Sequence, residues 1–324
     1  MAMLQKLITS RGYNQWPSWD IVFEWEDIFR ESLNLTFSYE PAVNRYAKRI
    51  PLPLLTRLLH TSDPAFIFQM SADMRGGYDK RNIVPCIVDF FVDPKRLPFF
   101  YHFNRHHPLL LVSSAEAVQY LADRKCPLPV FHLPLSLPDP YAFDPSCLCG
   151  KAYDLLLAGR TSPVLLEYTE RYAERHPDFV YVRRVVENGE FKGYTSRGEC
   201  VGGLGTRAQY MALMRQSRVG LYATPGIDGG EERTRGFNPV TPRFLELVSG
   251  GCHILARYPK NPDTDYYELP AFGPSIDSFE QFEAAMDQAL SHDVDAGFYA
   301  SYLAKHYTSV RCETLKQILK SNNL

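Results

Sequence analysis

The chain has no surplus of charge. Its 324 residues hold 35 Lys and Arg against 37 Asp and Glu, a net of −2. No block of one sign runs long enough for a nucleic-acid arm or a polybasic membrane anchor. Long apolar runs are missing too. The longest, at residues 83–92, is broken by Pro85 and Asp89 well short of a membrane span. The opening segment MAMLQKLITSRGYNQW lacks the continuous apolar core of a signal peptide. The expectation is a chain with no transmembrane segment and no nucleic-acid partner, with peripheral membrane contact left open. Cysteine is sparse and scattered: Cys86, Cys126, Cys147, Cys149, Cys200, Cys252 and Cys312. The count is odd, and the close pair Cys147 and Cys149 has no second pair to answer it. That argues against a disulfide framework and against a zinc site. Reduced thiols, most of them buried as small hydrophobes, and a cytoplasmic setting are expected. Any anionic ligand must be met locally, by a few placed arginines or by helix N-termini.

What the chain does have is alternation. Hydrophobic residues at 45% and charged residues at 22% are the mix of a globular protein, and the length suits two domains. Trp19, Ile21, Val22, Trp25, Ile28 and Phe29 fall near helical spacing, with Asp20 near the start. Residues 65–70 (AFIFQM), 84–91 (VPCIVDFF), 108–114 and 129–135 read as buried strands. A helix over 115–123 takes Ser113 or Ser114 as its cap. Six prolines then stiffen residues 127–145, which read as a linker. Beyond it, strands at 153–159, 179–186, 218–224 and 252–257 alternate with helices at 163–176, 206–217, 241–249 and 278–290. Such alternation predicts an α/β fold with parallel sheets covered on both faces. Two Rossmann-like domains follow, residues 1–145 and 146–295. A last helix, patterned over 296–319, lies in a C-terminal segment, 296–324, expected to pack back onto the first domain.

In open parallel sheets ligands bind beyond the carboxyl ends of the strands, so the residues after each strand carry the interest. After YDLLLAG come Gly159, Arg160, Thr161 and Ser162, then a helix. The glycine permits a sharp turn, the helix N-terminus offers N–H groups, and Arg160 has a fork suited to phosphate. A plain strand-to-helix turn with a surface arginine is the alternative. The loop over 225–240 is unusually long for such a connection, with four glycines and Glu231, Glu232, Arg233 and Arg235. Thr241 and Pro242 then open a helix, in which Arg243 and Glu246 share a face. Gly250 and Gly251 end it.

The block TPRFLELVSGGCHIL resembles the donor-site helix of GT-B glycosyltransferases, in particular the glycosyltransferase family 4 / CgeB-like group. KAYDLLLAGR resembles the strand and basic loop opening the nucleotide domain of that fold, and SFEQFEAAMDQAL its late helix. The N-terminal half matches in outline, through LLLVSSAEAVQYLADRK and VFHLPLSLPDPYAFDP. The resemblance implies a GT-B fold, two Rossmann-like domains whose parallel sheets face each other across a cleft. It implies that Glu246 accepts hydrogen bonds from the nucleotide ribose. Many family members carry a second Glu eight residues earlier, contacting the donor sugar. Here Asn238 stands at that place, and Asn238 or Glu232 is left to substitute for it.

The chemistry so implied is transfer of a sugar from a nucleotide sugar to a glycan or lipid-linked acceptor, with surface polysaccharide or glycoconjugate synthesis as the setting. The diphosphate leaving group gathers negative charge, and arginines placed at that charge stabilise the transition state. Arg160, Arg233, Arg235 and Arg243 are the candidates, Arg160 and Arg235 foremost. No Asp-x-Asp strand end or His/Cys cluster calls for a metal, and no cofactor beyond the donor substrate is expected. Tyr210 either packs near the base or belongs to the core. Asp89, ending a strand of the first domain, is either a general base or acceptor contact, or a capping residue. His102, Arg105, His106 and His107 are spaced as a polar loop. The rival readings are a nucleotide-sugar epimerase and a non-catalytic nucleotide or carbohydrate binder.

Overall fold

In the computed structural model the described residues are 4–12, 14, 19–39, 63–72, 80–157, 159 and 162–324. They divide into two compact units, Met1–Asp139 with Thr308–Leu324, and Pro140–Tyr307.

The first unit is built on a six-stranded sheet in the order β2-β1-β3-β4-β5-β6. Its strands are β1 (Lys6–Thr9), β2 (Thr36–Tyr39), β3 (Ala65–Ser71), β4 (Ile83–Asp89), β5 (Leu110–Val112) and β6 (Val130–His132). Every neighbouring pair is parallel. Helices α1 (Asp20–Leu33), α2 (Leu97–Asn104) and α3 (Ala115–Asp123) belong to it. α3 starts at Ser114, whose hydroxyl accepts from the Ala117 amide at 3.1 Å. The central strands are near-continuous apolar runs because both faces are covered. On one face the core gathers Leu7, Val22, Trp25, Phe29, Phe66, Phe68, Leu111 and, from the chain end, Cys312 and Leu315.

The second unit has a six-stranded sheet in the order β10-β9-β8-β7-β11-β12. β7 (Tyr153–Leu157), β8 (Tyr181–Glu187), β11 (Ser217–Ala223) and β12 (His253–Arg257) run parallel. The wholly parallel expectation fails at its edge. There β9 (Glu190–Thr195) and β10 (Cys200–Gly203) add an antiparallel extension. The reason is local: Asn188 and Gly189, both with positive φ (52° and 82°), make a two-residue hairpin turn. Helices α4 (Pro163–Arg175), α5 (Arg207–Arg215), α6 (Pro242–Ser249), α7 (Pro262–Tyr266), α8 (Phe279–Ser291) and α9 (Ala296–Ala304) complete the unit. In α6 Phe244, Leu245, Leu247 and Val248 are buried, each contributing about 1.5–3 kcal/mol of apolar transfer.

The expected last helix is in fact two. α9 belongs to the second unit, while α10 (Thr308–Ser321) belongs to the first. The start of α10 is tied to the exit of the first sheet, where Thr308 donates its amide to the Leu137 carbonyl at 3.0 Å and Ser309 its amide to Asp139 at 3.0 Å. The returning segment therefore begins at Thr308 and not at 296, and the break after the first sheet falls at Asp139 and not at 145. The cysteines are all free, but only Cys86, Cys252 and Cys312 are buried, fewer than expected. Among the described residues, no helix is long and apolar enough to cross a membrane.

Candidate functional site

Because β7, β11 and β12 are parallel, their carboxyl ends share one edge of the second sheet. β7 leads to Gly159, β11 to the loop 224–240, and β12 ends on Arg257. Gly159 has φ +67°, a left-handed conformation that costs an L side chain about 1–2 kcal/mol. A Cβ there would fall inside the Arg243 guanidinium. The arginine thus lies directly on the backbone at the end of β7. Arg160 lies outside the described residues.

Arg243 sits in the first turn of α6, after the N-cap Thr241, whose side chain makes no cap bond. The Thr241 amide donates instead to the Tyr222 hydroxyl at 2.9 Å, a phenol that burial pushes up to about 12. Burial alone would ease the proton off Arg243, but Tyr210, Glu246 and Tyr222 hold it charged. Tyr210, on α5, turns its hydroxyl toward that guanidinium. Burial pushes its phenol up and Arg243 draws it back. Glu246, one turn beyond Arg243, is 7% exposed and accepts from Arg207 Nη1 on Oε1 at 2.5 Å. Arg207 also lies over the Tyr141 ring at 4.9 Å. Arg207 and Tyr210 on α5 therefore meet Glu246 and Arg243 on α6, each pair three residues apart on its own helix.

The loop after β11 is braced from within. Asn238 accepts from the Thr224 hydroxyl at 2.9 Å and donates to the Gly236 carbonyl at 3.0 Å. Its own carbonyl accepts from Asn261 at 3.0 Å. Arg257 grips both carboxylate oxygens of Asp228 at 2.6 and 2.7 Å. This holds Asp228 below the usual carboxylate range. The Arg257 fork also reaches Asp277 at 3.0 Å, and the Ser162 hydroxyl donates to Asp228 at 3.4 Å. Arg233 pairs with Glu231, with 62% of its side chain exposed. Arg235 is exposed, in a left-handed conformation at φ 51°.

The structure therefore brings Gly159, Tyr210, Arg243 and Glu246 together and builds Asn238 into the loop. It leaves Arg233 and Arg235 at the loop surface. Asp89 is in the other unit. It ends β4 opposite Ser71, half-buried at the carboxyl edge of the first sheet. Sequence reasoning missed Arg207, Asp228 and Arg257. Arg207 had a signal, because Thr206 and Gln209 form a capping box that fixes where α5 begins.

The first sheet's carboxyl edge holds another polar group, in which Arg11 of the loop after β1 meets Thr9 and Glu26. Thr9, the last residue of β1, donates its hydroxyl to Glu26 at 2.6 Å, and Arg11 Nε donates to the same oxygen at 3.2 Å. Arg11 also pairs with Asp27 at 2.9 Å and bonds the Phe23 carbonyl. Glu26 is 1% exposed. Burial raises its carboxyl to about 7 despite Thr9 and Arg11. His132, half-buried near Arg311, is pushed down to about 4, chiefly by desolvation. No group of three or more His, Cys, Asp or Glu side chains placed to hold a metal exists among the described residues.

No family model matches the chain, and no curated protein matches it. Solved structures do. The pneumococcal O-GlcNAc transferase GtfA, in complex with UDP and GlcNAc, aligns at a TM-score of 0.50 and 8% identity over 85% of this chain. This chain spans 60% of the length of that enzyme. The DNA-modifying β-glucosyltransferase aligns over 99% of this chain and 100% of its own, at 12% identity and a TM-score of 0.49. Sucrose-phosphate synthase from Thermosynechococcus elongatus aligns over 86% of this chain and 76% of its own, at 10% identity and 0.47. The likeness to the pneumococcal enzyme is one of fold, and together with the two sheets it gives the chain the two-domain α/β fold of the GT-B class.

Proposed function

We propose that this chain is a glycosyltransferase that moves a sugar from a nucleotide-sugar donor onto a glycan or lipid-linked acceptor. The observation that carries the reading is the Arg243 guanidinium laid on the backbone at Gly159. A buried, firmly charged fork at the carboxyl end of a parallel strand, beside the start of a helix, suits a diphosphate by chemistry and by place. The pneumococcal transferase of like fold was solved with UDP and GlcNAc, which is the ligand chemistry assigned here to this chain.

In this reading Glu246 takes the ribose, as in the family 4 / CgeB-like helix it resembles. Arg243, Arg233 and Arg235 share the diphosphate with Arg160. As the bond from the anomeric carbon to the diphosphate breaks, the leaving oxygen gains charge that these fixed cations stabilise. No metal is needed for that step. Asp89 takes the proton from the acceptor hydroxyl as general base. The setting is cytoplasmic synthesis of a surface polysaccharide or other glycoconjugate.

The test is turnover of UDP-, GDP- and ADP-sugars with and without a panel of glycan acceptors, in EDTA. The reading expects release of nucleoside diphosphate that rises with acceptor. A nucleotide sugar converted to its epimer with no acceptor would assign the site to an epimerase. No turnover of any donor would make the chain a binder at most.

A further inference from the structure

Arg207 occupies the first position of α5, and Arg243 the second position of α6. The positive end of a helix repels a cation placed there, by about 0.3–1 kcal/mol. Two arginines breaking the same local rule at two adjoining helix starts mark a place organised for something negative or hydrogen-bond accepting, not for helix stability. Arg207 stacks on Tyr141 and gives Nη1 to Glu246 Oε1. Its planar fork is held from two sides, and through it the carboxylate is held too. Among the described residues Oε2 of Glu246 takes no hydrogen bond, although the side chain is 7% exposed. An ionised carboxylate only accepts. One oxygen is pinned and the other is open, so the group suits a neighbouring pair of hydroxyl donors. Arg243, three residues before Glu246, attracts the same carboxylate. The Arg207 hydrogen bond draws Glu246 towards α5 and leaves Arg243 lying on Gly159.

We infer that Arg207 is a positioning residue. By fixing the Glu246 carboxylate it lets that group read the vicinal hydroxyls of a ribose, and so makes the site selective for ribonucleoside over 2′-deoxyribonucleoside diphosphates. This inference rests on the donor reading given above. A hydrogen bond to a charged group is worth about 1.5–3 kcal/mol, or roughly tenfold or more in affinity.

The test is calorimetric titration of the full chain with UDP, GDP and ADP, then with the 2′-deoxy form of the tightest binder. The parent should favour the ribonucleotide by about tenfold or more. Arg207→Met should bring that ratio close to one, whatever the loss of the ion pair does to the melting temperature. A purely structural arginine would lower the melting temperature and leave the ratio alone. Arg207→Lys keeps the charge and loses the fork, and should retain part of the discrimination. If Arg207→Met does not fold, the lysine variant decides: a reduced ratio supports the inference and an unchanged one overturns it. A parent that discriminates, with a ratio that survives Arg207→Met, overturns the role of Arg207 and leaves the donor reading standing. A parent that binds none of the three diphosphates removes both.

Discussion

Among the described residues the two sheets each have six strands, yet different ionisable groups dominate their carboxyl edges. At the carboxyl edge of the first sheet Glu26 is a buried acid. Glu26 takes Thr9 and Arg11 on one oxygen and has its carboxyl lifted to about 7. At the edge of the second the deep groups are cations, Arg243 and Arg207, with Glu246 bound between helices. A parallel strand end therefore places no particular chemistry by itself. The residues at strand ends and first helical turns do that, which is why fold alone is a weak guide to function. In the proposed division, the acidic edge deals with a proton and the basic edge with a diphosphate.

That division can be broken most forcefully at Asp89. If it removes the acceptor proton, Asp89→Asn should lower kcat by about 10²–10⁴-fold with little change in donor KM. A loss under tenfold would take the base away from this residue. Glu26 gives the next largest effect. Its carboxyl stays protonated in the folded chain up to about 7, against 4.5 ordinarily. Between those values the folded state binds the extra proton, so stability falls as pH rises, by about 3 kcal/mol in all. Urea titrations at pH 4.5 and 7.5 should show this fall in the first unit's transition, and Glu26→Gln should abolish it. An equal slope in both proteins would mean that Glu26 titrates normally. On the basic edge, Gly159→Ala strains a left-handed residue and drives a methyl into Arg243. We expect nucleotide affinity to drop about tenfold or more, alongside a stability loss of about 1–3 kcal/mol. Unchanged affinity would detach Gly159 from the site. The smallest effect belongs to Asp228→Asn. It weakens a part-exposed pair worth about 1 kcal/mol and should show mainly as faster proteolysis within residues 225–240.

Much of this was legible beforehand, and the exceptions have physical causes. Continuous apolar runs identified β3, β4, β7 and β11, since strands covered on both faces have little choice of composition. The short strands β2, at the sheet edge, and β1, next to it, carry no such run. The β8–β9 hairpin did have a signal, Asn188-Gly189, but it stands inside a series otherwise read as parallel. The expected helix over 296–319 hid a break because apolar spacing continues through His306, itself buried against Tyr267 and Tyr302. In the site, Gly159, Thr241 and Arg243 could be named because turn and helix-start chemistry is local, and Glu246 through the family resemblance. The pairs Arg207 with Glu246 and Arg257 with Asp228 join residues 39 and 29 apart. No period or cap announces such contacts. They arise only when parallel strands bring separate loops to one edge.

The central claim is that Arg243 on Gly159 is a diphosphate site, and it is tested most directly by titrating UDP, GDP and ADP into the parent and Arg243→Met. The account predicts saturable binding of at least one diphosphate by the parent. It predicts a loss of about tenfold or more in the variant, as expected for a charge-assisted bidentate contact. Equal affinity in the two proteins, or no binding by the parent, would contradict it.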